Sequence, residues 1–287
     1  MSSAIPRSRS APGSVTTRGA EIDWTGSSSP ASEAARLAEF YDLVYDPLSA
    51  DADWCRALAA RTGGPILELG CGSGRVAVPL ATDGHRVVAV DRSPAMLERA
   101  RARAMRAGVE IELRDGDVRD FSIDETFPLV LMILNTFLML EPDDRWACLA
   151  RAREHLARGG RFAIHVFQPD PAKVAGYEGA VVEEGAFETE SGSRVTVFTS
   201  TRATVDRSTS TWTCDEVGDD RVVRRYSRTS TFHYLYRREA ELLLPAAGFS
   251  IESMEGDYDG SPADEHSPRL LIVARRRERG DARERRR

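Results

Sequence analysis

Residues 65–74 read Pro-Ile-Leu-Glu-Leu-Gly-Cys-Gly-Ser-Gly, and this stretch decides the fold. Its apolar run, Ile66–Leu69, predicts a short buried strand, and three alternating glycines after it predict a turn. A helical pattern follows over 75–83. A strand, a glycine turn and a helix in this order open a ligand site at the carboxyl end of the strands in an α/β sheet. Glycine has no Cβ, so the backbone of such a turn can approach a ligand closely.

The spacing of the glycines, Gly70, Gly72 and Gly74, distinguishes two classes of ligand. Dinucleotide-binding folds use Gly-x-Gly-x-x-Gly and hold the pyrophosphate at the helix N-terminus. Here the third glycine comes one residue early, and Arg75 stands where the dinucleotide pattern has glycine. Glu68, just ahead of the turn, carries a carboxylate that would repel a pyrophosphate and suit an ammonium group. The structural alternative is an ordinary glycine-rich turn between a strand and a helix.

Strand and helix patterns alternate on both sides of this turn, which predicts a parallel sheet built from right-handed βαβ units. Helices are expected at 32–43, 51–62, 93–107 and 143–157, and further strands at 86–90, 111–114, 127–134 and 161–167. Ser93 is the expected N-cap of the third of these helices, with Pro94 in its first turn and Gly108 at its end. The pair Gly159-Gly160 is expected to stop the helix at 143–157.

The period of the sequence changes after the fifth strand. From 186 to 236 the chain is rich in Thr, Val, Arg and Ser with an alternation of about two, which predicts three or four inserted antiparallel strands. The main sheet then resumes with a helix at 237–247 and strands at 249–254 and 270–274. We divide the chain into a disordered N-terminal tail (1–30), a cofactor-binding core (31–185), an antiparallel lid (186–236), a C-terminal part of the core (237–276) and an Arg-rich tail (277–287).

Composition limits the classes of function. The chain has 287 residues, 41% of them hydrophobic, and a net charge of −6, which argues against a general nucleic-acid binder. Its four cysteines show no CxxC spacing, so we expect reduced thiols of a cytosolic protein and no structural zinc. There is no apolar segment typical of a secretion signal or a membrane span. We therefore expect a cytoplasmic monomer or homodimer that binds neither nucleic acid nor a membrane.

An acid followed by Gly-x-Gly-x-Gly resembles the first motif of the class I S-adenosylmethionine-dependent methyltransferases. The resemblance is strong over 66–167 and extends more weakly over 35–276. It implies S-adenosyl-L-methionine as the cofactor. The alternation of strands and helices predicts an α/β fold with a seven-stranded, mostly parallel sheet and an inserted antiparallel β lid. The resemblance implies that this is a doubly wound, Rossmann-like methyltransferase sheet. No metal is expected, because the His-x-x-x-His pattern is absent.

Three acids, Glu68, Asp91 and Asp117, end successive predicted strands and so should lie close together at one sheet edge. Asp91, about twenty residues past the first glycine, can accept hydrogen bonds from both ribose hydroxyls. That role serves NAD and S-adenosylmethionine equally, and the alternative is an acid that caps the next helix. The resemblance implies that Asp117 receives the adenine amino group and that the Val118 N–H meets the adenine ring. Met96 either packs on the adenine or belongs to the core.

The fourth strand ends where the strand order of a doubly wound sheet reverses, which is where ligands bind. The resemblance implies that the Leu134 carbonyl lies near the methionyl ammonium, and Asn135 is positioned to orient either substrate. Tyr41 and Tyr45 share a helical face, and one of them is expected to contact the methionyl carboxylate or the acceptor; a buried aromatic stripe is the alternative. The full set predicted to bind the cofactor is Tyr45, Glu68, Gly70, Gly72, Gly74, Asp91, Arg92, Met96, Asp117, Val118, Leu134 and Asn135.

Methyl transfer is an in-line displacement at a sulfonium carbon, so a base is needed only when the nucleophile still holds a proton. His233, at the junction of lid and core, is the preferred base, with Tyr41 and Asp46 as its predicted catalytic neighbours; an ordinary histidine on a β-strand face is the alternative. His155 is expected on a helix surface, and His165 in the core.

The resulting hypothesis is an enzyme that methylates an N, O or C atom of a small molecule, such as an aromatic or alkaloid, amine or sugar intermediate of natural-product biosynthesis. One alternative is a nicotinamide-dependent oxidoreductase, which the glycine spacing, Glu68 and the lack of a Tyr-x-x-x-Lys pair disfavour. The other is a non-catalytic, cofactor-binding regulatory module.

Overall fold

The computed structural model describes residues 29–170, 174, 176 and 178–277. The predicted tails at 1–30 and 277–287 lie outside this part of the chain, apart from 29–30 and 277. The first half alternates helices and strands: α1 (Pro30–Tyr45), α2 (Ala50–Thr62), β1 (Ile66–Leu69), α3 (Ala77–Thr82), β2 (Val87–Asp91), α4 (Pro94–Ala107), β3 (Glu112–Asp115), β4 (Phe127–Met132), a 3-10 turn (Thr136–Met139), α5 (Asp144–His155) and β5 (Leu156–Phe167). Four long strands follow: β6 (Glu178–Glu188), β7 (Arg194–Ala203), β8 (Arg207–Val217) and β9 (Val223–His233). The chain then returns through α6 (Arg237–Ala246), β10 (Phe249–Glu255) and β11 (Arg269–Arg276).

The main sheet has seven strands in the order β10-β11-β5-β4-β1-β2-β3. The five strands β5, β4, β1, β2 and β3 run parallel to one another, and β11 is antiparallel to both of its neighbours, β5 and β10. This confirms the predicted α/β class and the mostly parallel sheet. The strand order reverses at β1, which lies between β2 and β4, so the carboxyl ends of these three strands frame the place where a ligand binds in such a sheet.

A second, antiparallel sheet has the order β6-β7-β8-β9 and corresponds to the predicted lid. Its first strand begins at Glu178, ahead of the segment 186–236 expected from the sequence. The missed part is mostly exposed and contains acidic residues and glycines. Its pairing with β7 also shifts register twice. It therefore lacks the alternation of apolar and polar residues that reveals a half-buried strand.

Helix α1 packs its apolar side on the four-stranded sheet. Phe40 is fully buried and meets the ring of Tyr226 edge-on, with centroids 5.5 Å apart. The cluster around it contains residues from α1 and the four-stranded sheet, Val195, Val197 and Cys214 among them. Two other clusters form the core on the faces of the seven-stranded sheet. Helix α1 and the four-stranded sheet thus share a small hydrophobic core of their own, and we call them together the cap.

The opposite side of α1 meets the seven-stranded half of the molecule through charges. Asp42 is buried and accepts hydrogen bonds from the Ser73 hydroxyl and from Arg99, and Arg103 Nη2 lies 3.2 Å from it. Arg103 also donates to the exposed Asp46 at 2.8 Å. Polar contacts of this kind orient a helix more than they stabilise it, because each charge loses hydration when it pairs.

The helix predicted to start at Ser93 has the expected termini. The Ser93 hydroxyl accepts a hydrogen bond from the Met96 N–H at 3.4 Å, Pro94 begins the helix, and Gly108 ends it at φ +67°. Other boundaries differ from expectation. Strand β5 begins at Leu156, so Gly159-Gly160 lies inside a strand and not in a loop after the helix.

Two further expectations need correction. Strand β4 ends at Met132, short of the predicted Leu134, because the chain turns into a left-handed conformation there. His155 is buried, not on a surface: its Nε2 accepts from the Ile123 N–H at 3.0 Å, and Nδ1 lies 2.8 Å from the Arg151 carbonyl. A ring that satisfies both nitrogens through backbone groups can be buried at low cost.

All four cysteines are buried free thiols. Within the described residues, no cluster of three His, Cys, Asp or Glu side chains is arranged to hold a metal ion. No helix in that part of the chain has both the length and the hydropathy of a membrane span.

Candidate active site

A cavity of about 630 Å³ opens at the carboxyl ends of β1, β2 and β4 and is covered by the cap. Its volume lies in the range of pockets that bind small organic ligands and cofactors. Every residue predicted to bind the cofactor, except Gly74, lines this cavity, and Tyr41 does so too. The structure therefore gathers residues from six separate segments: Tyr41 and Tyr45; Glu68, Gly70 and Gly72; Asp91 and Arg92; Met96; Asp117 and Val118; Leu134 and Asn135.

The three glycines of the turn have positive φ angles and three different surroundings. A Cβ on Gly70 would lie 2.4 Å from Thr136 Cγ2, so this glycine allows the turn to pass the end of β4. A Cβ on Gly74 would lie 3.2 Å from the Cβ of Ala100, so this one allows α4 to pack closely. A Cβ on Gly72 would meet no atom within 4 Å. Because Gly72 faces the cavity, its missing side chain leaves room for a ligand.

The Asp91 carboxylate is fixed by two backbone donors. The Gly72 N–H donates to Oδ2 at 2.8 Å, and the Ser93 N–H donates to Oδ1 at 2.8 Å. Each oxygen keeps a second lone pair for a ligand hydroxyl. The Asp91 carboxylate can therefore orient the start of the next helix and contact a ligand at the same time.

Glu68 is a buried acid with an unsatisfied oxygen in the cavity wall. Its Oε2 has no hydrogen-bond partner among the described residues, and the side chain is almost fully buried. Burial raises the pKa of this carboxyl group to about 8; Arg75 acts in the opposite direction, and Asp51 and Asp91 add to the rise. A buried acceptor without a donor is costly, and a cationic ligand group placed here would supply the missing donor.

Arg75 ties the segment between α1 and α2 to the glycine turn. Its Nη1 donates to the Tyr45 carbonyl at 2.9 Å and to the Leu48 carbonyl, and its Nη2 pairs with the buried Asp51. In the sequence, Arg75 is recognisable only as a departure from the dinucleotide pattern, and this role was not predicted. An arginine directly after a glycine turn is the only sign of this role in the sequence. Its hydrogen-bond partners, Tyr45, Leu48 and Asp51, lie earlier in the chain, and no local pattern links them to the turn.

Asp117 pairs with a neighbour in sequence. Arg119 donates from Nε to Oδ1 at 2.8 Å and from Nη2 to Oδ2 at 2.7 Å, and these hydrogen bonds lower the pKa of the Asp117 carboxyl group. Arg92 Nη1 lies 3.9 Å from the same carboxylate. Asp117 is thus held as an anion at the edge of the cavity.

The end of β4 has an unusual backbone. Leu134 and Asn135 adopt φ values of +52° and +68°, a left-handed conformation that is uncommon for residues other than glycine. Strand β5 holds them in place: Asn135 Oδ1 accepts from the Phe167 N–H at 2.7 Å, and the Asn135 N–H donates to the His165 carbonyl at 3.1 Å. Strained backbone of this kind is concentrated at functional sites, and here it lines the cavity.

The cap contributes side chains that the sequence analysis did not assign to the site: Glu184, Thr199, Ser210, Trp212, Arg228, Ser230 and Phe232. Trp212 stacks on Tyr45 with ring centroids 5.7 Å apart and an interplanar angle of 2°. Tyr41 and Tyr45 share a face of α1 as predicted, with centroids 4.5 Å apart. Burial raises the pKa of Tyr41 far above that of free tyrosine, so it stays a neutral phenol.

Two of the residues predicted to be catalytic do not line the cavity. On β9, the cavity residues are Arg228, Ser230 and Phe232, and His233 lies next in the strand. Successive strand residues point to opposite faces, so His233 is directed away; its Nε2 lies 3.3 Å from Glu141. Asp46 is exposed and is bound by Arg103.

The cavity residues fit S-adenosylmethionine. The unsatisfied Glu68 Oε2 suits the methionyl ammonium, the free lone pairs of Asp91 suit ribose hydroxyls, and the space beside Gly72 admits the ligand between them.

Comparisons with known proteins agree with this geometry. Residues 66–160 match a family model described as a methyltransferase domain. The chain is 30% identical over 250 residues to the cypemycin N-terminal methyltransferase of a Streptomyces species, covering 83% of this chain and 95% of that protein.

Two solved structures are similar in fold. One is an S-adenosylmethionine-dependent methyltransferase from Clostridium acetobutylicum, with a TM-score of 0.73 and 17% identity, covering 85% of this chain and 98% of that one. The other is the sugar N-methyltransferase KedS8 from Streptoalloteichus, with a TM-score of 0.67 and 22% identity, covering 94% of this chain and 100% of that one. The cavity, the family model and a relative matched over nearly its whole length lead to one conclusion: this chain belongs to the S-adenosylmethionine-dependent methyltransferases.

Proposed function

We propose that this enzyme transfers the methyl group to an amine nitrogen of a natural-product acceptor. The observation that carries the proposal is Glu184, a carboxylate on the cap side of the cavity, close enough to Tyr45 to help raise the pKa of that phenol, after the effect of burial. The other cavity acids, Glu68, Asp91 and Asp117, belong to the predicted cofactor set. The similar cypemycin enzyme is named an N-terminal methyltransferase, and KedS8 is named a sugar N-methyltransferase.

S-adenosylmethionine supplies an electrophilic methyl group on a sulfonium centre. In the proposed arrangement, Asp91 accepts the ribose hydroxyls and Asp117 the adenine amino group, while Glu68 faces the methionyl ammonium. The Val118 N–H and Met96 lie along the adenine, and Leu134 supplies its carbonyl near the ammonium. These contacts bind and orient the cofactor, which is most of what an in-line displacement requires.

On the acceptor side, Glu184 attracts the protonated amine and takes the proton that the nitrogen must lose before its lone pair can attack. Tyr45 and Trp212 form an aromatic wall beside it, and aromatic faces favour a cationic amine. His233 has no step in this mechanism, because its ring is buried on the face of β9 that points away from the cavity.

The test uses S-adenosylmethionine with an isotope-labelled methyl group and two kinds of acceptor. An amino sugar and a short peptide with a free N-terminus represent amines, and a phenol represents oxygen acceptors. We expect label on nitrogen, and none when the same amines are N-acetylated. Glu184→Gln should lower kcat/KM by about 10²-fold, as expected for loss of a proton acceptor.

Glu183→Gln is the matched control, because Glu183 is an exposed neighbour on the same strand that does not line the cavity. Labelling of the phenol with none of the amines would overturn the proposal. Equal losses in the two glutamine variants would remove Glu184 from the mechanism.

A further inference from the structure

Among the residues that the structure describes, Arg228 is a cation on the cavity wall without an anionic partner. Three arginines line the cavity: Arg75, Arg92 and Arg228. Arg75 is paired with Asp51, and Arg92 lies 3.9 Å from Asp117. In the part of the chain that the structure describes, the Arg228 guanidinium takes part in no hydrogen bond or ion pair. Its side chain is exposed, so its five donors are hydrated and available to a ligand that enters the cavity.

Two hydroxyl groups lie beside this guanidinium on the same face of the sheet. Ser210 is the cross-strand partner of Ser230, and Trp212 is that of Arg228, so the four residues form two adjacent pairs on β8 and β9. All four line the cavity. Side chains of cross-strand partners are about 5 Å apart, which places a guanidinium and two hydroxyl groups around one small volume. The Ser210 hydroxyl also shares a hydrogen bond of 2.7 Å with the Thr201 hydroxyl, and it can accept from Thr201 while it donates to a ligand. A planar fork of N–H donors matches the oxygens of a carboxylate or a phosphate.

Arg228 also lies across the sheet from the proposed amine anchor. Glu184 is on β6 and Arg228 on β9, the two edge strands of the four-stranded sheet. Three strand spacings separate them, which amounts to about 14 Å. The cap therefore places the Glu184 carboxylate towards one side of the cavity and the Arg228 guanidinium towards the other. A ligand with opposite charges at its two ends would be oriented by this pair.

We propose that Arg228, Ser210 and Ser230 form an anion subsite that binds a carboxylate or phosphate group of the methyl acceptor. This rests on the proposed function, since it assigns the subsite to the acceptor. The acceptor class is then an amine that also carries an anionic group, distant from the nitrogen that is methylated. Amines of the same size that lack an anionic group bind less well, because they leave the Arg228 guanidinium without a partner.

The experiment titrates inorganic phosphate, and separately acetate, into the full chain saturated with S-adenosylhomocysteine, at constant ionic strength and with calorimetric detection. We expect saturable binding to the wild-type chain, weakened at least about tenfold by Arg228→Gln. Tighter binding of phosphate than of acetate indicates a phosphorylated acceptor, and the reverse order indicates a carboxylated one. Arg194→Gln is the matched control: Arg194 is an exposed arginine of the same sheet, outside the cavity lining, and its loss should leave anion binding unchanged.

Several results would overturn the proposal: no saturable binding to the wild-type chain, equal binding to wild type and Arg228→Gln, or equal weakening in the two arginine variants. A rival role for Arg228 is contact with the cofactor carboxylate. It predicts that Arg228→Gln weakens S-adenosylmethionine binding, whereas the acceptor role predicts unchanged cofactor affinity. Because the titration requires no turnover, failure of amine methylation and failure of the anion subsite are separate results.

Discussion

Glu68 and Asp91 end neighbouring strands of one sheet, yet their surroundings give them opposite properties. Two backbone N–H groups fix the Asp91 carboxylate. Glu68 has an oxygen without a partner, and its burial raises the pKa to about 8. At neutral pH, Glu68 therefore favours its protonated form until a cation enters. The two acids should respond differently to substitution and to pH.

Replacing Asp91 should weaken cofactor binding. We expect Asp91→Ala to cost about 1–3 kcal/mol of binding free energy, because the ribose loses charge-assisted hydrogen bonds. Calorimetry with S-adenosylmethionine measures the change. Asp115→Ala is the control: Asp115 is the register partner of Asp91 on β3 but is exposed and does not line the cavity. An affinity of Asp91→Ala equal to that of the control would refute the ribose contact.

Glu68 should make both stability and cofactor affinity depend on pH. Its pKa is about 8 in the folded chain against an ordinary value of 4.5, so the folded state holds the proton longer than the unfolded state does. The free energy of unfolding of the ligand-free protein should then fall as pH rises from 4.5 to 8. Over the upper part of this window, affinity for S-adenosylmethionine should rise, because the carboxylate pairs with the ammonium.

Two measurements between pH 4.5 and 8 check these predictions, each made on the wild type and on Glu68→Gln. Thermal unfolding gives the slope of stability against pH, and calorimetry gives the slope of cofactor affinity against pH. The glutamine variant should lose the contribution of this carboxyl group to each slope. A wild-type affinity that does not change between pH 6 and 8, or a variant with the same slopes as the wild type, would contradict the assignment.

Strand β9 shows what sequence can and cannot predict about the site. The placement of the strand-end acids in the cavity could be predicted, because a short pattern fixes where each parallel strand stops. Arg228 and Ser230 were missed, and His233 was preferred, because both faces of β9 carry polar residues. Register is weakly specified when no apolar alternation marks the inner face, and only the pairing with β8 decides it.

Phe40 should hold the cap together while contributing little to the seven-stranded half. It is fully buried among residues of the cap. We expect Phe40→Ala to cost about 3–5 kcal/mol and to speed hydrogen exchange in β7–β9 more than in β1 and β4. Phe249→Ala is the control, because Phe249 is equally buried but belongs to the core of the main sheet. Equal effects of both variants on β7–β9 would mean that the cap has no separate core.

At the scale of the whole molecule, the alternation of strands and helices was enough to predict the seven-stranded sheet. Each βαβ unit can be recognised from a pattern within a short stretch of the chain. The grouping of elements was harder to predict. The sequence pattern predicts 31–185 as one unit and 186–236 as another, whereas the side chains of α1 pack with β7, β8 and β9. Contacts between segments so distant in the chain leave no periodic signal in either one.

The shared core of α1 and the four-stranded sheet has a consequence for changing acceptor specificity by exchange of parts. Grafting only the inserted strands from a relative onto this chain would leave the apolar side of α1 facing a foreign sheet, with Phe40 in a mismatched pocket. A transferable unit must include residues 30–45 together with 178–233. Helix α1 is also bound to the glycine turn, because Asp42 accepts a hydrogen bond from Ser73 and the Tyr45 carbonyl accepts one from Arg75. A grafted α1 must therefore preserve both contacts with the glycine turn of the host.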